Sequence, residues 1–511
     1  RRPRTLTNRS GGATRAERWA LALLSLLAFG WRVSGLASQS LWRDEVDAIH
    51  FASRPLPELL ATFSRPGENG PLFFALLSPW LALLGSSEFA LRFQAALAGV
   101  LAVPLTYALA RRLLATAGMG ELRYAAGLAL GNVPLLAALL VAVNPYLVWY
   151  SQEGKMYAWL VTLTLALLLA FLAALQRGGW LRWLGYLALL AVAALHHVWA
   201  ILLIPLCAAW LALLWPDYRR RWLPFLLTLT LPALPYFALV GWWQLRLLAT
   251  ASFQTGHPFV ALPAMIASLA TAFSRGVAIS PDRAVMAGLV FLLLTGSVLG
   301  GKAMAGVGSP TAWRRLRVTL MLLAWLALPP LLLYLISLSK PLYTDRYVIW
   351  IIPALLILLA QGVAALRAIA RPLGWIALIA LLAIGLAAGW RQMHTPIKSD
   401  FRAAVAYVEA RRRPGELLLF QMPYGRVVYE HYAGAQAAAV DGRYTNNDNP
   451  VAQVEEEMRQ TVGDAPAVWL IASEEEGWDR RRLVRQWLEE HGQVTDQQDF
   501  ARVEVVRYAI R

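Results

Sequence analysis

The chain has 511 residues, 58% of them hydrophobic and only 15% charged, where an average soluble domain carries about 25% charge. That composition excludes a wholly soluble globule. The formal charge of +16 does not point to nucleic acid, because most basic residues flank apolar runs, as the positive-inside bias of membrane proteins produces. The single cysteine, Cys207, lies inside an apolar run, so no disulfide framework exists.

In chain order, an arginine-rich segment precedes a first membrane-length run at residues 19–37. No small-residue cleavage site follows it, so the run is read as a retained span. The polar stretch Trp42-Arg43-Asp44-Glu45-Val46-Asp47 comes next. Then Pro71–Leu84 is apolar for only 14 residues, a length that suits a helix lying in the interface better than a span. Keeping it on the outer surface puts the later loops in register. Spans then fall at 91–109, 124–149, 157–175, 183–195, 199–215, 223–245, 284–300, 318–338, 347–366 and 373–390.

The total is about eleven spans. Cytoplasmic loops carry about 20 basic residues against about 10 on the other face before residue 392. The expected topology has a cytoplasmic N-terminus. Counting residues 71–84 as a span would reverse the bias. Prolines 104, 134, 205, 232, 235, 329, 330 and 353 mark kinks, which membrane helices tolerate.

Composition changes near residue 392. The remainder is charged, with no run long enough to span. Its periodicities predict helices at 401–412, 427–432, 451–461 and 479–491 and strands at 416–421, 467–472 and 502–509; residues 441–450 read as a polar loop. Alternating helix and strand indicates a small α/β domain. The expected fold is therefore an all-α polytopic membrane domain over 1–391, with surface helices, followed by an extracytoplasmic α/β domain over 392–511.

The topology assigns Asp44, Glu45, Asp47, Glu68, Glu153, Lys155, His196, His197, Tyr343, Asp345 and Arg346 to one membrane face, from five loops. Each alone is an ordinary solvated helix end. As a set they mark a site, because charge at the hydrocarbon edge is costly unless it faces water or a ligand. The spans are nearly free of charge at their centres, which argues against a transporter, whose sites lie near the midplane.

Leu41-Trp42-Arg43-Asp44-Glu45 after a first span resembles the first acidic loop of GT-C membrane glycosyltransferases. The family 39 type, with protein O-mannosyltransferases and aminoarabinose transferases, is the nearest in pattern. Asn69-Gly70-Pro71-Leu72-Phe73, Phe89-Ala90-Leu91-Arg92-Phe93 opening a span that ends Ala110-Arg111-Arg112, the stretch from Asn144-Pro145 through Glu153 and Lys155 to Tyr157, and Asp345-Arg346-Tyr347 leading to Pro353 are similar, in the same order. One departure stands out: the family usually has proline where Gly70 is, often after a histidine.

The resemblance implies a polyprenyl-phosphate sugar as donor, used on the outer face of the cell membrane, with a protein, lipid or glycan acceptor and no nucleic acid. An acceptor hydroxyl needs a base as it attacks the anomeric carbon. Asp44 is the expected base, Glu45 its neighbour that orients it or binds acceptor, and Asp47 a helix-terminal charge. The departing phosphate needs cations or donors, for which Arg346, Lys155 and Tyr343 are the candidates. Trp42, Glu153 and Glu68 are the expected substrate contacts. No cofactor is certain; Glu68, Glu153, His196 and His197 are the candidate ligands of a divalent metal ion. The alternatives are a non-catalytic GT-C-like subunit of a larger complex and, behind it, a lipid or sugar transporter.

Overall fold

A computed structural model describes residues 13–63, 69–116, 132–228, 249, 258–277, 282–295, 310–434, 439–441, 449–475 and 479–511. The chain forms two compact units. One takes Arg1–Ser34, Arg54–Leu83 and Arg92–Gln392; the other takes Gly35–Ser53, Leu84–Leu91 and Met393–Arg511.

The first unit is helical. Among the described residues, five helices are long and apolar enough to cross a membrane: Glu88–Thr116, Tyr157–Arg177, Leu316–Ser337, Asp345–Ile369 and Arg371–His394. Two bent pairs raise the number to seven if each counts as one span. This is a multi-pass membrane protein by helix length and composition. The expected spans 124–149, 223–245 and 284–300 each run partly outside the described residues. Pro71–Leu84 forms one 14-residue helix, with the bounds expected.

Two sharp bends are present, one inside the expected span 124–149 and one at the end of the expected span 199–215. Val133–Val143 and Pro145–Ser151 meet at 56°. Val198–Leu213 and Trp215–Thr228 meet at 86°. In each case a proline, Pro145 or Pro216, opens the second helix, where its missing N–H costs nothing and its fixed φ suits a helix start. Asp345–Ile369 is the most enclosed of the five long apolar helices, and its part Ile352–Ile369 packs against Val133–Val143, Arg283–Leu294 and Pro310–Ser337. That part is apolar all round, as a helix surrounded by others must be.

The second unit is built on a five-stranded sheet. Its strands are β1 (Leu417–Phe420), β2 (Ala439–Asp441), β3 (Ala467–Ala472), β4 (Gly492–Phe500) and β5 (Val503–Ile510), in the order β2-β1-β3-β5-β4. β1 runs parallel to β2 and β3, while β5 is antiparallel to β3 and β4. Helices Val451–Val462 and Leu483–His491 cover it, burying Val454, Met458, Val484, Trp487 and Leu488 against Leu419, Val468, Leu470 and Val506. The expected β1, β3 and β5 are present within a residue or two. β4 was not expected, because as an edge strand it is mostly exposed and carries Gln and Asp where an apolar alternation would announce a strand. Of the polar loop read at 441–450, residues 442–448 lie outside the described residues.

A buried carboxylate ties β1 to the sheet. Glu416 accepts hydrogen bonds from Arg507, from Trp469 Nε1 at 2.7 Å and from the Arg413 N–H at 3.1 Å. Burial alone would raise the Glu416 carboxyl, but the bonds from Arg507 and Trp469 outweigh it and hold it down at about 2. A depressed folded value stabilises above the ordinary 4.5 and is lost as pH falls toward 2. Glu416→Gln is expected to cost about 1–3 kcal/mol at neutral pH and to flatten the stability profile between pH 4.5 and 2. Hydrogen exchange of the β3 amides in the full chain measures both; an unchanged profile would contradict this role.

Candidate active site

The first unit gathers its polar groups around the break at Asn144. A bent helix frees backbone carbonyls, and inside a membrane these need protein partners. Arg32, fully buried, supplies them. Its guanidinium donates to the carbonyls of Ala142 at 2.8 Å and Val141 at 3.0 Å and to Ser151 Oγ at 3.2 Å. Asn144 accepts from the Leu147 N–H at 3.0 Å, capping the second helix, and donates to the Phe273 carbonyl at 2.7 Å. Gln392 donates to the Pro145 carbonyl at 3.0 Å and accepts from the Val277 N–H at 2.7 Å. Gly276 is what lets Gln392 approach, since a Cβ there would lie 1.9 Å from its side-chain oxygen.

The bend directs an aromatic chain toward the candidate residues. Tyr146 packs on Tyr150 and Tyr150 on Tyr157, with ring centroids 4.7 Å and 5.2 Å apart. Tyr157 continues to His197 at 5.9 Å, and His197 to Tyr347 at 5.6 Å. Arg346 lies over the Tyr157 ring at 5.5 Å, a cation–π distance. Glu153, Asp345 and Arg346 are all within electrostatic reach of the buried Tyr150 hydroxyl. Lys155 lies over Phe74 at 5.5 Å. Tyr343 is buried and donates its hydroxyl to the Met265 carbonyl at 3.4 Å. Three of the expected loops thus meet: 150–157, 196–199 and 343–347.

The expected metal ligands do not form a cluster among the described residues, where no group of three or more His, Cys, Asp or Glu is placed to hold an ion. His196 is the last residue of a helix and His197 is extended, with φ −156°, and the two rings pack on different partners. His196 packs on Phe73 and Trp159. His197 packs on Tyr157 and Tyr347, and its Nδ1 accepts from the Trp199 N–H at 3.2 Å. Glu68 lies outside the described residues.

The second unit carries the acidic stretch on the helix Arg43–Ala52. Trp42 stands at its N-terminus without a side-chain cap, and its Nε1 is buried with no hydrogen-bond partner among the described residues. Asp44 is half-buried, and Asp47 pairs with Arg43 at 3.8 Å. Arg43 in turn lies over the Tyr424 ring at 4.7 Å. Glu45 is fully buried, and Lys398, itself buried, donates to it at 3.0 Å. Glu45 therefore faces the interior of its unit, unlike Asp44 beside it.

Several of these residues escaped the sequence reading. Arg32 carried a usable signal: an arginine within an apolar run is costly and has a task. Asn144-Pro145, already named as part of a motif, is in addition a helix-start dipeptide. Nothing in the sequence marks Lys398.

Gly70 explains the departure from the family pattern. It sits at φ +86°, and a Cβ would lie 2.9 Å from the His196 carbonyl and 3.0 Å from Met156 Sδ. Asn69 beside it accepts from the Val198 N–H at 2.8 Å. Proline cannot reach positive φ, so this chain holds the loop by a glycine and an asparagine.

No protein-family model and no curated protein matches the sequence. Solved structures do match. The archaeal oligosaccharyltransferase AglB from Archaeoglobus fulgidus, in complex with an inhibitory peptide and a dolichol-phosphate, is similar with a TM-score of 0.56 at 13% identity, over 97% of this chain and 74% of that one. ArnT from Cupriavidus metallidurans in the apo state matches at 0.55 and 14% identity, over 97% of this chain and 98% of that one. ArnT from the same organism bound to undecaprenyl phosphate matches at 0.54 and 14% identity, over 96% and 98%. These likenesses establish the fold, which is the GT-C-like membrane architecture that the sequence motifs resemble.

The Gly70 geometry gives a direct expectation. Gly70→Ala forces a side chain into the left-handed region, costing about 1–2 kcal/mol, and Gly70→Pro costs more because it cannot adopt the conformation at all. Thermal unfolding of detergent-purified protein checks this; a proline variant as stable as the parent would contradict the geometry.

Proposed function

We propose that this protein is a GT-C glycosyltransferase that moves a sugar from a polyprenyl-phosphate-linked donor to an acceptor hydroxyl on the extracytoplasmic face of the cell membrane. The observation that carries the reading is the gathering of Arg346, Lys155 and buried tyrosines in a fold shared with structures that hold dolichol-phosphate and undecaprenyl phosphate. About eleven crossings, a cytoplasmic N-terminus and an outer domain over residues 392–511 complete the proposed topology.

In the proposed reaction the acceptor oxygen bonds to the anomeric carbon as the bond from that carbon to the phosphate oxygen breaks, inverting the centre. The acceptor proton passes to Asp44, the only carboxylate of the Asp44-Glu45 pair that is not fully buried. Negative charge grows on the departing lipid phosphate. Arg346 neutralises it, with Lys155 as the second cation; both are charge-assisted donors, stronger than neutral ones. Tyr343 forms part of the wall rather than a free donor, its hydroxyl being turned to Met265. Glu153 orients the sugar hydroxyls, and Trp42 offers an indole face for the sugar ring. Glu68 keeps the substrate role assigned from its position in the sequence.

Purified protein given labelled polyprenyl-phosphate sugars is expected to release the lipid phosphate, with protein, lipid and glycan acceptors compared in parallel. Asp44→Asn should lower kcat by about 10²–10⁴-fold, the usual share of a general base. Arg346→Ala should lower kcat/KM by about 10²-fold through lost stabilisation of the leaving charge. Full turnover by Asp44→Asn would remove Asp44 as the base. Absence of turnover by the parent chain with every donor would favour the non-catalytic subunit.

A further inference from the structure

The acidic helix Arg43–Ala52 has no side-chain cap of its own, so its placement comes from the residues packed against it. Those belong to the same unit. Gln39 Oε1 accepts the N–H groups of Ile397 and Lys398, each at 3.0 Å. Arg402 donates to the carbonyls of Ser38 at 3.0 Å and Ala37 at 3.3 Å and to Glu88 at 3.2 Å. The Tyr432 hydroxyl accepts the Leu41 N–H at 2.7 Å and donates to Glu88 at 2.8 Å. These bonds anchor the approach to the helix. They leave its rotation about its own axis open.

The inward face of the helix consists of buried Glu45, Val46, Ala48 and Ala52, of which Glu45 alone is charged. Lys398 Nζ meets Glu45 Oε2 at 3.0 Å, with the two side chains 6% and 0% exposed. A carboxylate buried to that degree needs its cation. Successive side chains on a helix are separated by about 100°, so a Glu45 held inward turns Asp44 to the half-exposed side. We propose that Lys398 is a positioning residue: by pairing with Glu45 inside the unit it sets the rotation of the acidic helix and thereby the aim of the Asp44 carboxylate. The catalytic part of this proposal rests on the glycosyl-transfer reading; the structural part does not. It also reassigns Glu45, which orients Asp44 from within rather than touching substrate.

Two readouts keep the parts separate. In the full-length protein, Lys398→Met should speed hydrogen exchange of the amides in Arg43–Ala52, while the β3 amides exchange as before. The double variant Glu45→Gln/Lys398→Met leaves no charge buried alone and should restore protection, which keeps the test open if Lys398→Met fails to fold. In the turnover assay, Lys398→Met should lower kcat by about 10- to 100-fold, the scale of a slightly misplaced catalytic group, with donor KM unchanged. Lys398→Arg should recover most of the loss. Unaltered exchange in Arg43–Ala52 together with full kcat for Lys398→Met would overturn the proposal. An exchange effect in a protein whose parent form turns over no donor would uphold the positioning of the helix and defeat the glycosyl-transfer reading instead.

Discussion

A helix inside a membrane can bend sharply only if the backbone groups it frees find partners, since no water is there to serve them. In this protein that requirement falls on Arg32. Its guanidinium occupies the carbonyls of Val141 and Ala142 and reaches Ser151 on the far side of the break. Asn144 and Gln392 close the remaining gaps at the Leu147 N–H and the Pro145 carbonyl. The 56° turn is thus held by side chains that bond its freed backbone groups. The aromatic chain of the first unit depends on it: the tyrosines beyond the break reach Tyr157, His197 and Arg346 because the backbone has changed direction at Asn144.

The second unit applies a related rule. A short helix with three carboxylates near its start, Asp44, Glu45 and Asp47, has more negative charge than its N-terminal dipole alone would organise. The charges are separated by environment. Glu45 is buried with Lys398, Asp47 is drawn to Arg43, and Asp44 remains half-buried. Three chemically similar groups thereby sit in three different environments.

Much of the fold was legible in the sequence. Apolar runs of membrane length announced the first unit, and period-two and period-three-to-four patterns announced β1, β3, β5 and the helices that cover them. The motif residues around Tyr150–Tyr157, His196–His197 and Tyr343–Tyr347 were found as separate loops, and the structure brings them together in one unit. The misses have physical causes. β4 lacks an apolar face because an exposed edge strand needs none. The bend at Asn144 falls inside the expected span 124–149, because hydropathy is blind to direction; the bend at Leu214 falls where the expected span 199–215 ends. Lys398 lies far from Glu45 along the chain, and a long-range pair leaves no local pattern.

The proposed reaction turns on one binding step, in which Arg346 and Lys155 of the first unit hold the phosphate of a polyprenyl-phosphate sugar. The most direct measurement of that step is an experimental density map of the protein with a polyprenyl phosphate bound. Phosphate density is expected within hydrogen-bonding distance of the Arg346 guanidinium, beside the Tyr157 ring. Ordered lipid phosphate elsewhere in the protein, with Arg346 making no contact to it, would contradict this assignment.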